Sequence, residues 1–384
     1  MLYIDCTECI PKGTTQFHGG ANYGKRMLSL LSNYVDSITV LLPDGFHIKS
    51  EMDKSIFLKE NIILEYINDL KNFSEGTSGD VLFIPMIPTR RLYIIKKLKQ
   101  NNIGMKIYVT IHGVRQLDLV PDYFDEFYKA LKFKQIYFVK NILKYHFFRI
   151  IYKIIFKIYI PMIDKIFTVS NDSMQKIQNI CHPQYIKHFY CGSINTDEIK
   201  IEEKSQHQNY VLFVSGGRPE KNLLRCLIAF QKYKAEDHSG LKLIVTGITE
   251  DTKISLLKHP RIEIKLINEF VEFLPYVNDD RLRELYTNCK YILYLSKSEG
   301  FGLPLVESCM YEKPILTSSL TAMPEVLRSG SFYANPYDIC SIVTVLHKMT
   351  DASYDQLEEQ SRRRKKIVLL EIENSDLDFI TEFC

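Results

Sequence analysis

Ten short runs of β-branched and aromatic residues punctuate the chain, with helix-like stretches between them. In the first half they fall at 2–7, 37–43, 80–85, 106–113 and 165–170; in the second at 210–216, 241–247, 261–266, 291–296 and 314–319. Most are nearly continuous apolar runs rather than alternations. Strands covered by helices on both faces read this way, which predicts parallel sheets. The βα rhythm occurs twice, so the pattern predicts an α/β chain of two Rossmann-like, doubly wound domains facing each other across a cleft. A polar stretch at 195–209 (NTDEIKIEEKSQHQN) lacks apolar periodicity and reads as a linker. The expected division is a first domain at 1–195, a second at 196–365, and a tail at 366–384 placed to pack back on the first.

Length agrees with that division, because 384 residues suit two domains of roughly 150–200 each. Hydrophobic residues make up 46% and charged residues 25%, the balance of a soluble globular protein with a sizeable core. The formal charge of +3 hides an asymmetry. Residues 1–195 hold 25 Lys/Arg against 17 Asp/Glu, and the remainder holds 24 against 29. A basic first half suggests an anionic partner, nucleic acid or a membrane surface; uneven solvated charge is the plain alternative.

The asymmetry is sharpest at 127–163, which contains no Asp or Glu. It carries Lys129, Lys132, Lys134, Lys140, Lys144, Arg149, Lys153 and Lys157, interleaved with Phe147, Phe148, Ile150, Ile151, Ile154, Ile155 and Phe156. Arg149, Lys153 and Lys157, spaced by four, form a stripe on one helical face. A basic, aromatic, amphipathic helix is the pattern of an interfacial membrane segment. A helix packing its apolar side on the first sheet fits the same residues, and both readings stand. No nucleic-acid-binding module is visible.

Nine cysteines without regular spacing give only one CxxC, Cys6 and Cys9, and no second pair to complete a zinc site. The thiols read as reduced and the chain as cytoplasmic. The start, MLYIDCTE, has neither a basic region nor an apolar run, so no signal peptide is expected. No stretch of about 18 apolar residues offers a membrane span.

Chemistry concentrates in SKSEGFGLPLVESCMYEKPILTS, residues 296–318. A buried strand ends, a glycine turn follows, and Pro304 stands where a helix begins, a position where its missing amide costs nothing. Such a turn presents free amides and a positive helix end at the carboxyl edge of a sheet, where doubly wound folds bind anions. Gly300 and Gly302 permit close backbone approach. Glu299 in the turn and Glu307, read as lying in the first helical turn, can accept bonds from sugar or ribose hydroxyls.

A second turn is GGRPEKN, 216–222, between the strand at 210–216 and an amphipathic helix with apolar Leu223, Leu224, Leu227, Ile228 and Phe230. Asn222 reads as its N-cap. Arg218 and Lys221 project toward one ligand, where they can neutralise a diphosphate, the first as a fork and the second as a point charge. Charge on a departing diphosphate grows as its bond to the sugar breaks, so fixed cations favour the transition state. In the first half, His18, Gly19 and Gly20 open a helix after the first strand, and His112 with Gly113 ends the strand at 106–113. A strand-end histidine bonded to backbone is the structural alternative for His112.

The run Glu299-GFGLPLV-Glu307 resembles the Glu-x7-Glu motif of retaining GT-B glycosyltransferases, most closely the large family 4 (glycosyl transferases group 1). Residues 211–233 and 271–302 resemble the family's second and third anchors in the expected order. FHGGANYGKRM (17–27), VTIHG (109–113) and FTVSNDS (167–173) resemble its N-terminal landmarks.

The resemblance implies a metal-independent transfer of a sugar, with retained anomeric configuration, from a UDP- or GDP-linked donor. The acceptor is a glycan or lipid-linked glycan of surface polysaccharide or glycoconjugate synthesis. The first domain offers the acceptor and the second binds the donor. It gives His112, Arg218, Lys221 and Glu299 catalytic roles. Gly19, Gly20, Gly217, Phe301, Gly302, Leu303 and Glu307 fall to donor binding. An Asp376-Leu-Asp378 pair in the tail is incidental on this reading. Three rivals are a sugar-nucleotide epimerase of the same fold, an NAD-dependent dehydrogenase and a lectin-like scaffold. No GxGxxG with a downstream acid supports the dehydrogenase, and a scaffold has no need of the diphosphate cations.

Overall fold

A computed structural model describes residues 1–10, 19–48, 51–119, 122, 134–190, 208–328 and 331–384. His18, Lys129, Lys132 and nearly all of the expected linker at 195–209 lie outside the described residues. The chain forms two compact units. One comprises Met1–Leu117, His146–Ser193 and Glu371–Cys384; the other comprises Asp118–Tyr145 and Ile194–Leu370.

The first unit is built on a seven-stranded parallel sheet in the order β3-β2-β1-β4-β5-β6-β7. Its strands are β1 (Leu2–Asp5), β2 (Ile38–Pro43), β3 (Ile62–Ile67), β4 (Val81–Ile84), β5 (Lys106–Ile111), β6 (Lys165–Thr168) and β7 (Ile186–His188). The five interior strands are buried over most of their length, as their unbroken apolar sequences require. The last fourteen residues belong to this unit. Phe379 and Phe383 join Phe83 and Phe167 in an aromatic cluster, and Glu382 bonds Lys165 and Tyr185. The Asp376-Leu-Asp378 pair is spent on ion pairs here, Asp376 with Arg26 and Asp378 with Lys187.

The second unit holds a six-stranded parallel sheet in the order β10-β9-β8-β11-β12-β13. Its strands are β8 (Tyr210–Phe213), β9 (Lys242–Val245), β10 (Val271–Phe273), β11 (Tyr291–Tyr294), β12 (Ile315–Ser318) and β13 (Phe332–Ala334). Helix Leu223–Glu236 buries nearly every side chain, with Leu223, Leu224, Leu227, Ile228 and Phe230 in the core beneath it.

Two features differ from the sequence pattern. No strand forms at 261–266; helix Ile264–Phe270 runs there and the strand follows at β10. Ile264 and Ile267 are spaced for a helix, and Ile267 is buried against the core, so tertiary packing overrides the local alternation. Residues 118–145 group with the second unit, not with the first domain expected at 1–195. Asp122 accounts for part of this, since it pairs with Arg225 and Lys297.

Candidate functional site in the second unit

Strand order reverses between β8 and β11. From β8 the chain moves outward to β9 and β10; from β11 it moves the other way to β12 and β13. At such a switch point the loops leaving the two strands diverge and open a crevice at the carboxyl edge. Residues 214–222 leave β8 and residues 295–302 leave β11, so the two turns that concentrate candidate chemistry are adjacent.

Hydrogen bonds stitch them together. The Lys297 amide donates to Glu220 O at 2.8 Å, and Ser296 Oγ lies 3.1 Å from the same carbonyl. Beneath them Arg225 and Lys297, both buried, share Asp122 at 2.9 and 3.0 Å. Ser298 Oγ donates to Asp118 at 3.0 Å. Sequence reading missed this framework, because nothing local marks Asp118 or Asp122 as partners of residues more than a hundred positions away.

At the centre is a buried ion pair. Lys221 Nζ donates to Glu299 Oε1 at 2.6 Å and to the Tyr294 hydroxyl at 2.5 Å, and it stands 4.7 Å from the centre of that ring. Ser296 Oγ donates to the same Oε1 at 2.5 Å, and the Glu299 amide donates to Thr321 Oγ1 at 3.1 Å. Lys221 is 4% exposed and Glu299 8%. Burial disfavours both charges. The Lys221 charge and the bonds from Lys221 and Ser296 outweigh it, holding the Glu299 carboxyl below the usual range.

Glu307 accepts the Tyr286 hydroxyl at 2.5 Å, and Tyr286 stacks on Tyr311 with ring centres 5.0 Å apart. Burial pushes the Glu307 carboxyl above the usual range, against the Tyr286 bond and the charge of Lys221. Glu307 lies past the first turn of helix Leu303–Met310, not within it. Gly302 precedes that helix at φ +90°, where an added Cβ would meet Leu305 Cδ1 at 2.9 Å. Phe301 is buried before it, and Leu303 is its first residue.

Arg218 differs from Lys221. Its side chain is 57% exposed, 3.9 Å from Glu220, and its charge is felt at Lys221, Tyr276 and Tyr294. Gly217 beside it donates to Gly247 O at 3.0 Å, and a Cβ there would sit 2.7 Å from that oxygen. Asn222 occupies the N-cap position but does not cap with its side chain. It adopts φ +67°, and its amide donates to Leu295 O and Pro336 O.

Thus Arg218, Lys221, Glu299 and Glu307 belong to one neighbourhood of the second unit, joined by Tyr276, Tyr286, Tyr294 and Ser296. The tyrosines gave no signal beyond apolar patterning; Tyr294 is simply the last residue of β11.

The remaining candidates lie in the first unit. Gly19 and Gly20 open helix Gly19–Leu31. His112 follows β5, its Nε2 2.8 Å from Pro85 O and its ring edge-on to Tyr23 at 4.7 Å. A carbonyl only accepts, so Nε2 carries the proton. A separate cavity of about 480 Å³ at the carboxyl ends of β1, β2 and β3 is lined by Thr7, Asn68, Asp69, Arg90, Arg91 and Tyr93, among others. Cys6 and Cys9 are buried free thiols, and among the described residues no cluster of three or more His, Cys, Asp or Glu is placed to hold a metal ion.

Residues 195–366 match the family model for glycosyl transferases group 1. The chain is 30% identical over 153 residues to an O-antigen chain mannosyltransferase B of Escherichia coli, covering 39% of each chain. It is 28% identical over 193 residues to the O-antigen chain mannosyltransferase RfbU of Salmonella typhimurium, covering 50% of this chain and 52% of that one. The aligned regions thus span about half or less of these relatives. Among solved structures, trehalose-6-phosphate from E. coli bound with UDP-2-fluoro glucose superimposes with a TM-score of 0.69 at 11% identity. That match covers 99% of this chain and 98% of that one. At that identity the likeness shows the fold alone, and the fold is GT-B.

Proposed function

We propose, starting from the match of residues 195–366 to the family model for glycosyl transferases group 1, that the protein transfers a sugar from a nucleoside-diphosphate sugar to a glycan or lipid-linked acceptor in surface-polysaccharide synthesis. One observation carries the reading. Two cations and two carboxylates, from the turns after β8 and β11 and the helix that follows, gather at the point where the strand order reverses. A diphosphate needs the cations and the amides at the start of helix Leu303–Met310; ribose and sugar hydroxyls need the carboxylates.

In the proposed reaction the bond between the anomeric carbon and the diphosphate oxygen breaks, and the acceptor oxygen bonds to the same face of the sugar. The acceptor proton passes to the departing phosphate, so configuration is retained without a protein nucleophile. Arg218 and Lys221 stabilise the growing phosphate charge. Glu299, with the Phe301–Leu303 backbone, orients the sugar, and Glu307 holds the ribose. Gly217 keeps the β8 turn close to the ligand, and Tyr276 offers the base an exposed ring. These fixed charges serve where a metal ion would otherwise be needed.

The first unit contributes the acceptor site. By the family resemblance, Gly19 and Gly20 are assigned to donor binding and His112 to orienting the transferred sugar. The cavity lined by Arg90, Arg91 and Tyr93 gives that unit room for a polar glycan. Two relatives are mannosyltransferases by name, so mannose is the sugar this reading favours, on a UDP- or GDP-linked donor. Nucleotide sugars and reduced thiols suit the cytoplasmic side of a membrane.

A thermal-shift screen against UDP-, GDP- and dTDP-sugars tests the reading. A donor at 100 times its Kd stabilises the folded state by about 2.7 kcal/mol. A shift from one nucleotide class supports the proposal; no shift from any of the three refutes it.

A further inference from the structure

The long helix Lys134–Tyr159 is apolar on two opposite faces. One is used internally: Phe156 is fully buried, and Tyr152, Ile155 and Tyr159 pack with it on the core of the first unit. The other consists of Val139, Leu143, Phe147, Ile150, Ile154 and Ile158, each between 47% and 66% exposed. At 3.6 residues per turn these six fall within an arc of about 100°, an unbroken stripe along nearly the whole helix.

Charge brackets the stripe. On the same helical count Lys153 and Lys157 lie along one edge, and Lys140 and Lys144 along the other, all four exposed. No acidic residue occurs anywhere in 127–163. Six large apolar side chains in water are unfavourable, and isolated exposed leucines are ordinary only when scattered. A nucleic acid would match the lysines but not the stripe. The helix does not serve as a span either: no described helix is long and apolar enough to cross a membrane.

We propose that this face docks in the plane of an anionic phospholipid surface. The six apolar side chains enter the boundary between headgroups and acyl chains. The lysine stems lie along them and carry their ammonium groups out to the lipid phosphates on both flanks. The proposal names a membrane as the setting and does not rest on the donor site.

Vesicle flotation of the full chain tests it, using phosphatidylcholine alone and a phosphatidylcholine–phosphatidylglycerol mixture. The protein should float with the mixture and remain behind with phosphatidylcholine alone. Ile150→Ser with Ile154→Ser, and separately Lys153→Glu with Lys157→Glu, should each lower partitioning at least about tenfold. Both variants should keep the wild-type melting temperature and any nucleotide-sugar shift, since all four side chains are exposed. Equal binding to both vesicles, or none to either, overturns the proposal. So does an isoleucine variant that floats normally but loses a dimer in sedimentation, which would assign the face to a second copy of the chain.

Discussion

Lys221 Nζ and Glu299 Oε1 lie 2.6 Å apart although 78 residues separate them in the chain. The pair ties the turn after β8 to the turn after β11 and couples the fold to the proposed chemistry. In a buried pair, loss of one partner strands the other, at about 3–5 kcal/mol. Lys221→Ala should therefore lower both turnover and stability. In a double-mutant cycle with Glu299→Ala, denaturant unfolding should show coupling of about 1–3 kcal/mol. Additive losses would mean that the two side chains act separately.

Arg218 should behave differently because it is exposed. Arg218→Ala should leave unfolding free energy within about 0.5 kcal/mol of wild type. Loss of a cation aimed at the leaving group should lower kcat about 100-fold or more. Steady-state kinetics beside a melting curve separates the two effects; wild-type kcat would remove Arg218 from the mechanism.

Tyr286 tests the proposed role of Glu307. Tyr286→Phe keeps the stacked ring and removes only the hydroxyl bonded to the carboxylate. If Glu307 holds the ribose, the change should raise KM for the donor several-fold with a smaller effect on kcat. An unchanged donor KM would count against that role.

Gly217→Ala places a Cβ 2.7 Å from Gly247 O, a clash with backbone that no rotamer relieves. The β8 turn must shift, at a cost of about 1–3 kcal/mol. Both stability and nucleotide-induced stabilisation should fall, readable in one melting experiment.

Acid–base linkage gives a prediction away from the site. Asp5, at the end of β1, is buried, and burial raises its carboxyl from 3.8 to about 6 even though the Thr7 amide donates to it. The folded state then holds a proton that the unfolded state releases, so stability falls as pH rises from about 4 to 6, by roughly 3 kcal/mol at most. Asp5→Asn keeps the acceptor for Thr7 and should flatten this part of the pH–stability curve. Glu299 has the opposite sign: its contribution is present above the ordinary glutamate range and is lost as pH falls through its lowered folded value.

The sequence pattern was legible wherever a strand is covered on both sides. All nine interior strands of the two sheets correspond to its apolar runs. The four it missed, β3, β7, β10 and β13, are the edges of the two sheets. An edge strand is half-solvated, so its sequence lacks the unbroken apolar signature: β3 is only partly buried and β7 reads Ile-Lys-His. The same physics explains helix Lys134–Tyr159. A helix apolar on two faces has weak periodicity, and both readings of it fitted the residues until the packed and exposed sides were distinguished.

By itself, then, the sequence determined the layered α/β class, the two turns and the charged residues they carry. These follow from local rules, the period of apolar positions and the backbone demands of glycine and proline. Only the tertiary structure decided which charges meet. It paired Lys221 with Glu299, placed Tyr286 on Glu307, left Arg218 in solvent and drew Asp122 to Arg225. Those pairings depend on strand order, which brings distant segments side by side and which no local pattern encodes.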